Sequence, residues 1–165
     1  MLSIRRRTLG KAFNILFYLL GGVLLIFVGV QKYQEVQVDD LSPDTVAAEF
    51  VRVVDGDTIV VILDNEEQTV RLIGINAPES VHPDESRNTP EGQAASDYVS
   101  ELMDGVDEVY LEFDQEKYDS YDRLLAYVFY FDGDELIMLN KRILDAGYAD
   151  PLIIAPNTRY SKLLN

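Results

Sequence analysis

The sequence predicts a mainly β domain with helices: three strands, a helix, two strands and a second helix, preceded by one N-terminal transmembrane helix. Three observations carry that reading. Val, Ile and Thr dominate three runs between Phe50 and Ile75, a composition that suits pleated, half-buried strands. Apolar residues recur at helical spacing along Glu91–Met103 and again along Leu136–Gly147. An apolar run from Ala12 to Val30, interrupted only by Asn14 and glycines, follows Arg5, Arg6, Arg7 and Lys11.

That run divides the chain. Residues 1–11 form a basic stub, 12–30 an anchor or signal segment, 31–46 an acidic tether, and 47–165 the folded domain. At about 1.5 Å per residue the apolar run spans about 28 Å, close to a hydrocarbon core of about 30 Å. The basic side stays in the cytoplasm by the positive-inside tendency, so the domain faces outward as a single-pass membrane protein. A cleaved signal peptide is the competing expectation, but the segment after Gly29-Val30 offers no small-residue exit of the A-x-A kind. There are no cysteines, which excludes disulfides and thiolate metal sites.

Within the domain, strands are expected at Phe50–Val54, Thr58–Leu63 and Thr69–Ile75. The first two are joined through Asp55-Gly56-Asp57-Thr58, residues suited to positive φ, and the next loop is Asp64-Asn65-Glu66-Glu67. Ser80–Thr89 reads as loop, and its lone histidine, His82, as a solvated loop residue. Pro90 opens the first helix at a favoured first-turn position, and Gly105 ends it. Val109–Phe113 and Leu124–Phe131 are the remaining strands, the latter closed by Asp132-Gly133-Asp134. Leu136–Gly147 is the second helix, with Gly147 as its C-cap. This order suits an OB-fold, a five-stranded, partly open β-barrel.

Polar residues set into these apolar runs mark a candidate site. Alternation along Thr69–Ile75 puts Arg71 on one face with Ile73 and Ile75. A guanidinium there must reach water or meet an anion, because an unpaired buried charge is very costly. Asp57, Glu79 and a bound phosphate are the available anions. Spacing alone leaves a paired structural arginine and a functional site equally open.

Val51–Glu79, with its D-G-D-T turn and R-L-I-G-I-N-A-P-E segment, resembles the core of the staphylococcal nuclease (thermonuclease) family. Tyr118–Tyr127 resembles that family's D-x-Y-G-R-x-L-A-Y strand entry, and Asn140, Leu144 and Gly147 match its N-x-x-L-x-x-G helix. The likeness covers about Glu49 to Asn165, with the motifs in family order. It implies an OB-fold and Ca²⁺-dependent cleavage of DNA and RNA phosphodiester bonds. By matching position, Asp57 would ligate Ca²⁺ together with the Asn76 amide oxygen and the backbone carbonyl of Ala77. Glu79 would orient or deprotonate the attacking water. Arg71 and Arg123 would clamp the phosphate, Tyr121 would hydrogen-bond beside it, and Asp55 and Thr58 would support the metal site indirectly. No protein partner is expected, and the domain is expected to act as a monomer.

Three departures bear on that expectation. Asn76 stands where the family usually has a second metal-binding aspartate, and carboxylate number tunes Ca²⁺ affinity over orders of magnitude. Leu152 and Ile154 stand where the best-known members place tyrosines that flank the nucleotide. The chain ends at Tyr160–Asn165, where the resemblance implies a third helix. Charge points the same way. Setting aside the four basic residues before the anchor leaves 10 Lys and Arg against 29 Asp and Glu, a net of −19. Nucleic acid is normally met by basic surfaces, so so acidic a shell suits screening by salt, with a Debye length of about 3 Å at 1 M. The alternative is therefore a weakened or inactive OB-fold binding module at the cell surface.

Overall fold

A computed structural model of the chain describes residues 41–81 and 83–165. The expected stub, anchor and most of the tether, and also His82, lie outside the described residues. Among the described residues, eight strands and two α-helices follow in order: β1 (Val46–Asp55), β2 (Thr58–Leu63), β3 (Glu66–Leu72), β4 (Gly74–Asn76), α1 (Pro90–Leu102), β5 (Glu108–Glu112), β6 (Leu124–Asp132), β7 (Glu135–Met138), α2 (Leu139–Asp145) and β8 (Asp150–Leu152).

Five of the strands close a barrel. Hydrogen bonding runs β3-β2-β1-β5-β6, and β3 then pairs with β6 in parallel, Val70 opposite Leu124 and Arg71 opposite Leu125. Long β1 serves two neighbours, β5 through Val46–Glu49 and β2 through Glu49–Asp55. Register shifts between Phe50 and Arg52 and between Val53 and Asp55 bend it to do so. Ile59, Val61, Val70, Leu111, Leu124 and Val128 fill the interior, α1 and its capping residue add Val99 and Met103, and α2 adds Leu139 and Ile143. The other face of β6 is also covered, by Leu136, Met138 and Leu164 against Tyr127 and Phe129. That is why Leu124–Phe131 reads as an almost continuous apolar run.

Four local expectations are corrected. Gly56 and Asp57 do not take positive φ in the first turn; glycine is needed there for space, since a Cβ would lie 2.6 Å from the Ala95 Cβ and 2.8 Å from the Ala77 Cβ. The second hairpin turns on Asp64 and Asn65 alone, at φ 55° and 66°, a two-residue turn whose twist matches its strands, so Glu66 and Glu67 already belong to β3. The run Thr69–Ile75 is not one strand, because the chain turns at Gly74 (φ 84°) and β4 leaves to pair with β8. Arg71 therefore shares no single strand face with Ile75. Finally, Leu136–Met138 is strand, folded back on β6 by Gly133 at φ 62°, and the second helix begins only at Leu139. A short apolar stretch before a helix fits either period.

At the end of the chain, hydrogen-bonded turns carry Ser161 onto Thr158 and Leu164 onto Tyr160. Tyr160 packs edge-on against Tyr127 and Phe129, and its hydroxyl donates to buried Glu112 at 2.9 Å. Arg159 pairs with the same carboxylate.

Candidate active site

The break between β3 and β4 builds the site. Because the chain turns at Gly74, the carbonyls of Leu72 and Ile75 both face the Arg71 side chain, and its Nη1 donates to them at 2.8 and 3.0 Å. Its Nη2 donates to Asp57 Oδ2 at 2.8 Å and to Asn76 Oδ1 at 3.3 Å. The guanidinium is thus held in one orientation by two main-chain oxygens, with a carboxylate and an amide oxygen converging on its other arm. Of the anions expected for Arg71, Asp57 is the direct partner; the Glu79 carboxylate instead lies 4.0 Å from Arg87.

Asp57 is buried in the turn between β1 and β2. Its Oδ1 accepts from the Thr58 hydroxyl at 3.0 Å, and its Oδ2 accepts from the Ala77 N–H at 2.7 Å. Burial pushes its carboxyl above the usual range, with Arg71 and these donors opposing. Burial also lowers the Arg71 guanidinium from its usual value, against the pull of Asp57, and Arg123 pushes the same way as burial. An arginine nevertheless remains charged at neutral pH.

Asp55, expected only as a supporting acid, is the stitch behind this turn. Its carboxylate accepts from the Gly56 N–H at 2.7 Å, the Ser80 hydroxyl at 2.8 Å and the Ser96 hydroxyl at 3.3 Å. The turn, the segment after β4 and α1 are thereby joined around one buried group. Glu79 lies in that segment, half-exposed, with its carbonyl accepting from the Thr89 N–H at 2.9 Å. Gly92 in α1 packs so closely on it that a Cβ would sit 2.1 Å from the Glu79 oxygen. Ser80 and Ser96 carried no signal in the sequence: a serine far along the chain looks like any other polar surface residue.

Barrel closure brings the second arginine in. Arg71 is in register with Leu125, and Arg123 directly precedes Leu124, the partner of Val70. Asp119 fixes Arg123 at both ends, accepting from its N–H at 3.0 Å and its Nε at 2.7 Å, and accepts also from the Tyr121 N–H at 2.9 Å. Burial alone would raise the Asp119 carboxyl, but these bonds hold it below the usual range. Asp119 was absent from the expected site, although its position four residues before Arg123 and the Asp-Ser-Tyr turn were both visible. The Arg123 guanidinium carbon lies 5.5 Å from the centre of the Tyr121 ring, which is strongly exposed.

Arg71, Arg123 and Tyr121 all line one cleft of about 590 Å³, which Leu125, Leu152 and Ile154 continue as an apolar surface. Glu116 and Asp119 line it as well, so the cleft is neither a basic groove nor a uniformly acidic face. Beside it, the donor set suits a hard, oxygen-seeking cation: one carboxylate (Asp57), the Asn76 amide oxygen and main-chain carbonyls. Among the described residues no cluster of three or more His, Cys, Asp or Glu could hold a metal. Such an ion would therefore depend on few protein charges.

Fold and site together define an OB-type barrel that presents two braced arginines at one cleft, with a buried carboxylate paired to one of them. The family described as staphylococcal nuclease homologue matches residues 69–165. The thermonuclease of Staphylococcus intermedius is 40% identical over 113 residues, covering 68% of this chain and 64% of that protein. The thermonuclease of Staphylococcus hyicus is 38% identical over 112 residues, covering 68% and 63%. Endonuclease YncB of Bacillus subtilis is 39% identical over 111 residues, covering 66% and 50%. The chain thus spans about half to two thirds of the length of these relatives. It belongs to the staphylococcal nuclease family.

Proposed function

We propose that this protein is a membrane-anchored nuclease that hydrolyses phosphodiester bonds of DNA, RNA or both outside the cytoplasmic membrane. The observation that carries the reading is the convergence of Arg71 and Arg123 on one cleft beside Asp57 and Asn76. The endonuclease and thermonuclease names of the relatives support the same reaction class. The outward location rests on the apolar run 12–30 and the basic residues before it. We infer a monomer without a protein partner.

In this reading the two guanidinium groups receive the non-bridging phosphate oxygens, where negative charge grows in the transition state. Glu79 takes a proton from the attacking water. The water oxygen bonds to phosphorus, the ester P–O bond breaks, and the departing oxygen, beside Arg123, takes a proton from solvent. The Tyr121 hydroxyl donates beside the phosphate. Ca²⁺ would be held by Asp57, the Asn76 amide oxygen and the Ala77 carbonyl, and would neutralise phosphate charge and polarise water.

One observation favours a second reading. Both arginines already have aspartate partners, and Asn76 removes a negative charge from the metal side. A binding module with a weakened metal site would look the same. The full chain is assayed on single-stranded DNA and RNA with Ca²⁺ or chelator, at low and molar salt. Cleavage that requires Ca²⁺ and falls at least about 100-fold in Arg123→Ala is expected from the loss of a transition-state donor. A silent parent that gains activity as Asn76→Asp identifies an intact scaffold with a disabled metal site. Silence in both favours the module over the enzyme.

A further inference from the structure

Among the described residues, the exposed large apolar or aromatic side chains are Val46, Val51 and Val81, which lie elsewhere, and a group of four that share one place. Tyr118 (50% exposed), Tyr121 (79%), Leu152 (41%) and Ile154 (62%) all belong to the cleft that holds Arg71 and Arg123. Tyr121 is engaged with Arg123. Tyr118 is different, because its ring stacks on no other ring among the described residues while its backbone is held on both sides. Tyr118 bridges to Leu124, Lys117 accepts from the Leu125 N–H at 2.9 Å, and Asp119 donates to the Arg123 carbonyl at 3.0 Å.

The segment bearing Tyr118 is also fixed relative to the one bearing Ile154. Asn157, almost fully buried, accepts from the Glu116 N–H and donates to the Glu116 carbonyl, both at 2.8 Å. Its own N–H donates to the Ile154 carbonyl at 3.1 Å. One amide therefore sets the spacing between an aromatic ring on a held backbone and an aliphatic surface, next to Arg71 and Arg123.

We propose that Tyr118 is the base platform of this site: the base of the nucleotide whose phosphate meets the arginines stacks on the Tyr118 ring, with Leu152 and Ile154 bounding it. The inference deepens the nuclease reading and rests on it for the kind of ligand. A flat base has a π-face whatever its identity, so Tyr118 supplies affinity for the base without choosing among sequences. The aliphatic pair limits the space but offers no ring.

The test measures binding rather than cleavage. The full chain, with Ca²⁺ present, is titrated with each of the four nucleoside 5′-monophosphates and with ribose 5-phosphate, none of which has an internucleotide bond to cut. The parent should bind the nucleotides about 5-fold or more tighter than the sugar phosphate. Tyr118→Ala and Tyr118→Leu should abolish that difference, whereas Tyr118→Phe should keep it. Two aliphatic replacements guard against a folding defect in one, and thermal unfolding checks both. A base preference that survives in Tyr118→Ala or Tyr118→Leu, or a parent that binds all five ligands equally, overturns the platform. Base-dependent binding through Tyr118 in a protein that cuts nothing would uphold the platform and defeat the nuclease reading. Cleavage lost in Arg123→Ala with the base difference insensitive to Tyr118 would do the reverse.

Discussion

Asp57 serves two interactions whose demands conflict. It is the anion that makes a buried Arg71 tolerable, and it is also the only carboxylate among the expected metal ligands. Its two roles separate by pH. Burial raises its carboxyl above 3.8, so the native state takes up this proton more readily than the unfolded chain. As pH falls from neutral toward 3.8, the contribution of Asp57 to folding stability must therefore grow, not shrink. Activity that needs the ionised group must fall over the same interval. Denaturant unfolding of the parent and of Asp57→Asn at stepped pH checks the first: the parent should gain on the variant as pH drops. The acid limb of the cleavage rate checks the second. Asp119 has the opposite sign. Its lowered carboxyl contributes stability that is complete above the ordinary aspartate range and is lost as pH falls through its own value.

At the scale of elements, α1 acts on the site through one missing side chain. An added Cβ at Gly92 would meet Glu79 and Pro78 backbone atoms, at 2.1 to 2.8 Å, and backbone cannot rotate aside. Gly92→Ala should cost about 1–3 kcal/mol, as overpacking does, and should lower kcat by shifting the Glu79 segment. Gly105→Ala is the control: its φ of 78° costs about 1–2 kcal/mol, but nothing lies within 4 Å and kcat should be unchanged. Thermal unfolding and single-turnover rates read both. This packing also marks what the sequence conveyed. The barrel strands were legible because Val, Ile and Thr runs ended in Asp-Gly or Asp-Asn turns. Arg71 and its anion Asp57 were legible because a charge inside such a run demands a partner, whereas Arg123 entered only through the family resemblance. What escaped was whatever depends on distant contacts: Ser96 on Asp55, Gly92 on Glu79, and the choice of strand over helix for Leu136–Met138. The turn at Gly74 escaped for another reason, since one glycine in an apolar run is compatible with an unbroken strand.

For the whole molecule, charge is the distinctive property. A net of −19 after the stub repels the polyanion that the cleft is proposed to receive. Salt should therefore affect this protein differently from a basic nucleic-acid-binding protein, whose affinity falls as salt rises. Binding of oligonucleotide to the full chain should hold or improve between low and molar salt; a steep fall would show that local arginine contacts outweigh the shell. The fold also governs when a site exists at all. Arg71, on β3, and Arg123, just before β6, come together through the parallel β3–β6 pairing, between segments far apart in sequence. Pairings of that kind are slow to form, because the intervening chain must be ordered before they are rewarded. A newly made chain with its barrel still open holds both arginines but not their alignment. In the proposed nuclease, hydrolysis thus depends on barrel closure, which alone aligns the two arginines.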